Sequence, residues 1–277
     1  MEKFRIVADS SADVKKFEAQ PFASAPLKIL AGGREFVDDE KLDIKEMVDY
    51  LSAYKGRSTT SCPSVEDWMA AFADAENIFC VTITATLSGS YNSACVARDL
   101  YMEKHPERRV YVINSLSTGP EMLLIMEKLS ALIESGLSFD GIVSEINAYC
   151  ASTGLLFMLE SMKNLANNGR VSPVVAKAAG LLGIRVVGRA SDVGDLQPLD
   201  KCRGRERGLD AMLSRMISLG YKGGKVRLAH CLNPDAAEGL RRRILARFPD
   251  ADFLLYELGG LCSFYAEKGG MIMGFET

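Results

Sequence analysis

The sequence predicts an α/β protein of two domains: a mostly parallel sheet with helices on both faces, plus a smaller α/β domain with a mixed or antiparallel sheet. Three observations lead there. Short apolar runs of β type alternate with helical patterns through the first half, as in parallel strands joined by crossover helices. The rhythm changes after residue 150, where a strand pair enters around a turn-rich link. The 277 residues are 48% hydrophobic and 25% charged, enough for a sizeable core and more length than one domain usually takes.

Phe4 to Ala8 reads as the first strand and ends at Asp9-Ser10-Ser11. Residues 43–54 read as a helix with Asp43 as N-cap. Residues 64–75 read as another, with Ser64 at the cap and Asp67 three positions on, where a capping box places its acidic partner. Ile78–Thr82 is a buried strand and 89–104 the helix after it. Arg109–Ile113 is the next strand, followed by helices over 119–135 and 139–151.

In the second half Leu155–Leu159 is apolar and a polar helix over 160–168 ends at Asn168-Gly169. Residues 184–187 and 195–200 form a strand pair around Ser191-Asp192-Val193-Gly194. Helix 205–219, strand 225–230, helix 234–247 and strand 252–256 follow, and Met271–Phe275 closes the chain. The expected domains are 1–152 and 153–277; no Pro/Gly/Ser-rich linker marks the boundary, so the halves should pack tightly.

A formal charge of −3 argues against a general nucleic-acid binder. No stretch reaches the roughly 18 uncharged apolar residues of a membrane span. The N-terminus lacks a basic flank followed by an apolar core, so the expected location is the cytoplasm, leaving transient contact with a membrane surface open. The closest of the seven cysteines, Cys80 and Cys95, are fifteen apart, and the two histidines are His105 and His230; neither a CxxC pair nor a zinc site is expected.

Two hydroxyl clusters carry the candidate chemistry: Ser58 to Ser64, and Thr84 to Asn92. Each leads into a helix, whose first amides have no intrahelical partner. Free amides, the positive helix end and hydroxyl donors suit a carboxylate or phosphate, and Gly89 lets backbone approach a ligand. In an open α/β sheet such turns lie at the carboxyl ends of strands, where ligands bind. Both clusters also read as ordinary helix caps. Arg170, after Asn168-Gly169, is either a surface charge or a bidentate donor closing an anion site. Cys62, beside a helix start, is the cysteine to weigh as a nucleophile, with only His105 or His230 as base. Residues 201–247 hold twelve Lys/Arg against four acids, net +8, leaving −11 elsewhere. That face is either merely solvated or docks an acidic partner protein or a phosphorylated ligand.

Five segments, in order, resemble the DegV family. They are Ile6–Ser11, Thr60-Ser61-Cys62-Pro63-Ser64, Leu87–Ala94, Asn168–Ser172 and Lys201-Cys202-Arg203-Gly204, against patterns of roughly T-D-S, T-S-x-P-S, S-G-T-Y-x-S-A, G-G-R-I-S and K-x-R-G. The resemblance implies a two-domain α/β protein holding one long-chain fatty acid in a buried tunnel between its domains. It implies a carrier with no cofactor of its own, the binding subunit of fatty acid kinase, which presents the carboxylate to a separate ATP-dependent kinase. The family's carboxylate contacts fall on Thr60 and Ser88, with Arg170 near the head group and Ser61, Gly89 and Ser90 in the same motifs. Arg203 and Arg205 would dock the kinase. Met158, Leu159, Leu165, Leu181, Leu182 and Ile184 are candidates for the sleeve around the alkyl chain. The family's C-terminal His is absent: Tyr265 stands at its place, or Phe264 with a shift of one, and Asn114 replaces a family Asp. The alternative is an acyl hydrolase or transferase using Cys62 or Ser88, though Ser88 has no nearby His in sequence.

Overall fold

The computed structural model describes residues 3–174, 176 and 183–277. Four strands, β1 (Phe4–Asp9), β2 (Phe22–Ala25), β6 (Asn77–Thr82) and β7 (Arg109–Asn114), form a wholly parallel sheet in the order β2-β1-β6-β7. All six residues of β6 are buried because both faces are covered, which is why residues 78–81 read as an unbroken apolar run. On one face Val7, Ile78 and Cys80 pack with Trp68 and Phe72 of α2 (Val65–Phe72) and with α3 (Ser90–Lys104). On the other, Ile6, Phe79 and Val81 meet α4 (Gly119–Glu134) and α5 (Phe139–Cys150).

The second sheet is mixed and has six strands, in the order β10-β9-β8-β13-β11-β12. They are β8 (Thr153–Leu159), β9 (Ile184–Ala190), β10 (Leu196–Arg203), β11 (Lys225–His230), β12 (Asp252–Glu257) and β13 (Met271–Glu276); only β11 and β12 pair in parallel. The two-residue period of β8 sorts its side chains. Leu156 and Met158 pack under α7 (Arg205–Ser218) and α8 (Pro234–Arg247), while Leu155, Phe157 and Leu159 face the rest of the molecule. On that other face the sheet meets α4 and the short α9 (Gly260–Ala266). No described helix is long and apolar enough to cross a membrane.

A third, antiparallel sheet was not foreseen. It joins β3 (Lys28–Ala31), β4 (Arg34–Val37) and β5 (Thr59–Ser61), with α1 (Ile44–Ala53) alongside. Its signal was present in Gly32-Gly33, both at positive φ (60° and 77°), the residue type a two-residue hairpin turn requires. The predicted caps form as read: Asp43 accepts from the Glu46 amide at 2.9 Å, and Ser64 and Asp67 make the reciprocal capping box. The helix expected over 160–168 shortens to α6 (Lys163–Asn167).

Candidate functional site

An apolar cavity lies between the parallel sheet, the small sheet and the inward face of the mixed sheet. A mostly apolar lining with a few converging polar groups is typical of a small-molecule site. Its walls come from both halves of the chain: Leu27, Ile83 and Leu87 on one side, Leu155, Phe157, Leu159, Leu196 and Ile272 on the other.

The polar atoms gather on few residues. Thr60 reaches the cavity from β5, so it belongs to the antiparallel sheet and not, as expected, to the carboxyl end of a parallel strand. Its Oγ1 lies 2.9 Å from the Tyr265 hydroxyl on α9. Burial pushes the Tyr265 phenol above its usual range, against the opposing pull of the Thr60 bond and the Arg170 charge, so it stays a neutral donor. Phe264, the other candidate for that position, is buried in the core behind it. Ser88 follows β6, at the carboxyl end of the parallel sheet. Arg170 is the one charged side chain among the described lining residues. Two carbonyls aim it: Nε donates to Leu87 O at 3.1 Å and Nη1 to Asn168 O. Leu87, Ser88 and Arg170 also line an outer cleft with Gly89, Asn92 and Asp195, so the polar end meets solvent there.

Other sequence candidates lie elsewhere. Ser61 alternates with Thr60 along β5 and is not in the lining, and Gly89 lines only the outer cleft. Ser90 is fully buried and donates to Asp9 Oδ2 at 2.5 Å, not into the cavity. In the apolar sleeve, Leu159 and Leu165 line the cavity, but Met158 takes the opposite face of β8, under α7, and Ile184 is not in the lining. Leu181 and Leu182 fall outside the described residues. Asn114 supplies acceptance without charge: its Oδ1 takes the amides of Ala85 and Leu116 at 3.1 and 3.3 Å. Sequence reasoning missed Thr118 and Cys262, which line the cavity 3.3 Å from each other.

Neither histidine bonds to Cys62 or Ser88. His105 packs on Tyr101 at the far end of α3, about 22 Å of helix from Ser88. His230 is buried and its Nδ1 accepts from the Asn233 amide at 3.3 Å. No cluster of metal-ligating side chains forms among the described residues. Arg203 and Arg205 are exposed where β10 meets α7, and Arg205 pairs with Glu206 at 3.0 Å.

The family model described as "Uncharacterised protein, DegV family" matches residues 3–276. The chain belongs to the DegV family. A DegV domain-containing protein of Streptococcus pneumoniae is 44% identical over 277 residues, covering 99% of each chain. Among solved structures, a DegV family protein from Eubacterium eligens loaded with heptadecanoic acid is 46% identical, with a TM-score of 0.97 and 99% of each chain covered. The Streptococcus pneumoniae Fatty Acid Kinase (Fak) B3 protein loaded with linoleic acid is 44% identical, with the same TM-score and coverage. This DegV chain thus shares its whole architecture with proteins solved around fatty acids.

Proposed function

We propose that this DegV protein is a cytoplasmic carrier of one long-chain fatty acid. The carboxylate meets Thr60, Ser88, Tyr265 and Arg170, and the alkyl chain lies in a tunnel between a domain of residues 1–152 and one of 153–277. The observation that carries the reading is an apolar cavity lined by one cation, Arg170, and four hydroxyl side chains, of which Thr60, Ser88 and Tyr265 come together from β5, the loop after β6 and α9. About fourteen buried methylenes at about 0.8 kcal/mol each supply on the order of 11 kcal/mol before association costs, so the ligand stays bound through purification. The fatty-acid-loaded relatives support the chemistry.

In the same proposal the chain needs no cofactor, and a separate ATP-dependent kinase phosphorylates the carboxylate through the outer cleft. The similarity to the Fatty Acid Kinase (Fak) B3 protein supports this step. Arg203 and Arg205 are offered as the docking residues. The deciding experiment is organic extraction of the native protein followed by mass spectrometry, with about one fatty acid per chain expected. A covalent acyl adduct on Ser88 or Cys62, removed by ester or thioester cleavage, would replace the carrier with an acyl hydrolase or transferase.

A further inference from the structure

Asp9 ends β1 and is fully buried, and no cation pairs with it among the described residues. A buried carboxylate without a counter-charge persists only where hydrogen bonds replace its water. Asp9 accepts four. Oδ1 takes the Ser11 amide at 3.2 Å and the Ser11 hydroxyl. Oδ2 takes the Ile83 amide at 2.9 Å and the Ser90 hydroxyl at 2.5 Å. Ile83 and Ser90 are the two ends of the loop that carries Ser88, so one side chain fastens that loop at both ends. The Ser90 amide in turn donates to Ser88 Oγ at 3.3 Å. A hydroxyl has a single hydrogen. With Ser88 Oγ accepting from Ser90, its own O–H is left to donate into the cavity it lines.

We propose that Asp9, acting through Ser90, positions the Ser88 hydroxyl as a donor to the ligand carboxylate, an inference that rests on the carrier reading above. Asp9 and Ser90 are positioning residues and touch no ligand themselves. A plain structural staple would hold the loop equally for any head group. A positioning device acts on the carboxylate alone.

The test compares heptadecanoic acid with 1-heptadecanol, which share the alkyl chain and differ at the head. Native protein prefers the acid. Ser90→Ala lowers acid affinity about tenfold and leaves alcohol affinity within about twofold, while its melting temperature falls by the loss of the bond to Asp9. Asp9→Asn, close in shape, shifts the acid-to-alcohol ratio the same way, so either variant serves if the other fails to fold. Equal losses for acid and alcohol, or a native acid preference that survives in the variants, overturn the positioning role while the carrier stands. Native protein that binds neither probe overturns the carrier reading, and this inference with it.

Discussion

Thr60 and Tyr265 share one hydrogen bond of 2.9 Å, so of their two hydroxyl protons one is spent on the pair and one is left for a ligand. Removing a donor to a charged group costs about 1.5–3 kcal/mol, or roughly ten- to a hundred-fold in Kd. Thr60→Val and Ser88→Ala should each weaken fatty-acid binding in that range with the fold intact, as titration and far-UV circular dichroism would show; unchanged affinity in both would remove them from the site. Tyr265 gives a sharper prediction because its phenol is held neutral. Native affinity should stay level between pH of about 5.5 and 7.5, where an imidazole would titrate. Tyr265→Phe should weaken binding throughout. Tyr265→His should bind more tightly as pH falls, because the imidazolium adds a cation beside the carboxylate. A steeply pH-dependent native protein would refute the idea that a phenol does this work. At this scale the sequence showed which residue types were present but not where they point. Thr60 and Ser61 are neighbours whose alternation only the strand reveals, and Ser90 belongs to the right motif yet turns inward to Asp9.

Elements with local signals were legible. The strand over 225–230 and the helix over 234–247 occur with the boundaries read from the sequence, and the Ser64 capping box forms within four residues, 64–67. Elements held by distant residues were not. The seven-residue α9 has its N-terminal amides satisfied by Asp38, whose Oδ1 and Oδ2 accept from Gly260 and Leu261 at 2.7 and 2.9 Å, and by Asp13, which accepts from Gly259 at 2.9 Å. No local pattern announces such caps. The β9–β10 hairpin is placed in a similar long-range way. Its turn lays Gly194 against Thr84, Thr86 Oγ1 donates to Gly194 O at 3.0 Å, and Leu196, next along, lines the cavity. Gly194 has φ +85°, and an added Cβ would press on Thr84 Oγ1 and sit 3.0 Å from the Leu116 backbone. Gly194→Ala should therefore cost about 1–3 kcal/mol and loosen the hairpin. Thermal melting should fall and bound fatty acid should leave faster in a stopped-flow chase. Lower stability with an unchanged release rate would show that the hairpin does not close the cavity.

For the whole molecule, the basic segment's charge is partly used up in internal ion pairs, of which only those of Lys225 and Arg227 with Glu127 join the two halves. Six of the twelve cations in 201–247 are ion-paired: Arg205, Arg215, Lys225, Arg227, Arg241 and Arg243. Arg203 makes no ion pair among the described residues, so it is the better docking candidate. With a kinase partner supplied, Arg203→Glu should lower acyl-phosphate formation while fatty-acid binding is kept, and added salt should slow the native protein more than the variant; equal rates at every salt concentration would leave the face merely solvated. The joint itself was illegible in sequence because its parts lie far apart in the chain. Helix α4 is buried between the two large sheets, Glu127 on it pairs with Arg227 of β11 at 2.8 Å, and Glu121 accepts from Thr153 Oγ1 at 2.7 Å and from the Ser117 hydroxyl. Burial raises the Glu121 carboxyl from 4.5 to about 6, the two hydroxyl donors pulling the other way. Between those values the folded state holds a proton that the unfolded chain releases. Stability is therefore lost as pH rises from about 4.5 to about 6 and is level above, a change of about 2 kcal/mol. Glu121→Gln keeps the shape and cannot ionise. Its stability relative to the native protein should improve by that amount between pH 4.5 and pH 7, which parallel thermal melts would read as a few degrees. The comparison cancels the contributions of Asp9, Asp13 and Asp38, which burial raises and which act in the same direction as Glu121, and that of His230, which burial lowers and which acts in the opposite direction. An offset between variant and native that is the same at both pH values would mean that Glu121 is already ionised in the folded protein at the lower one.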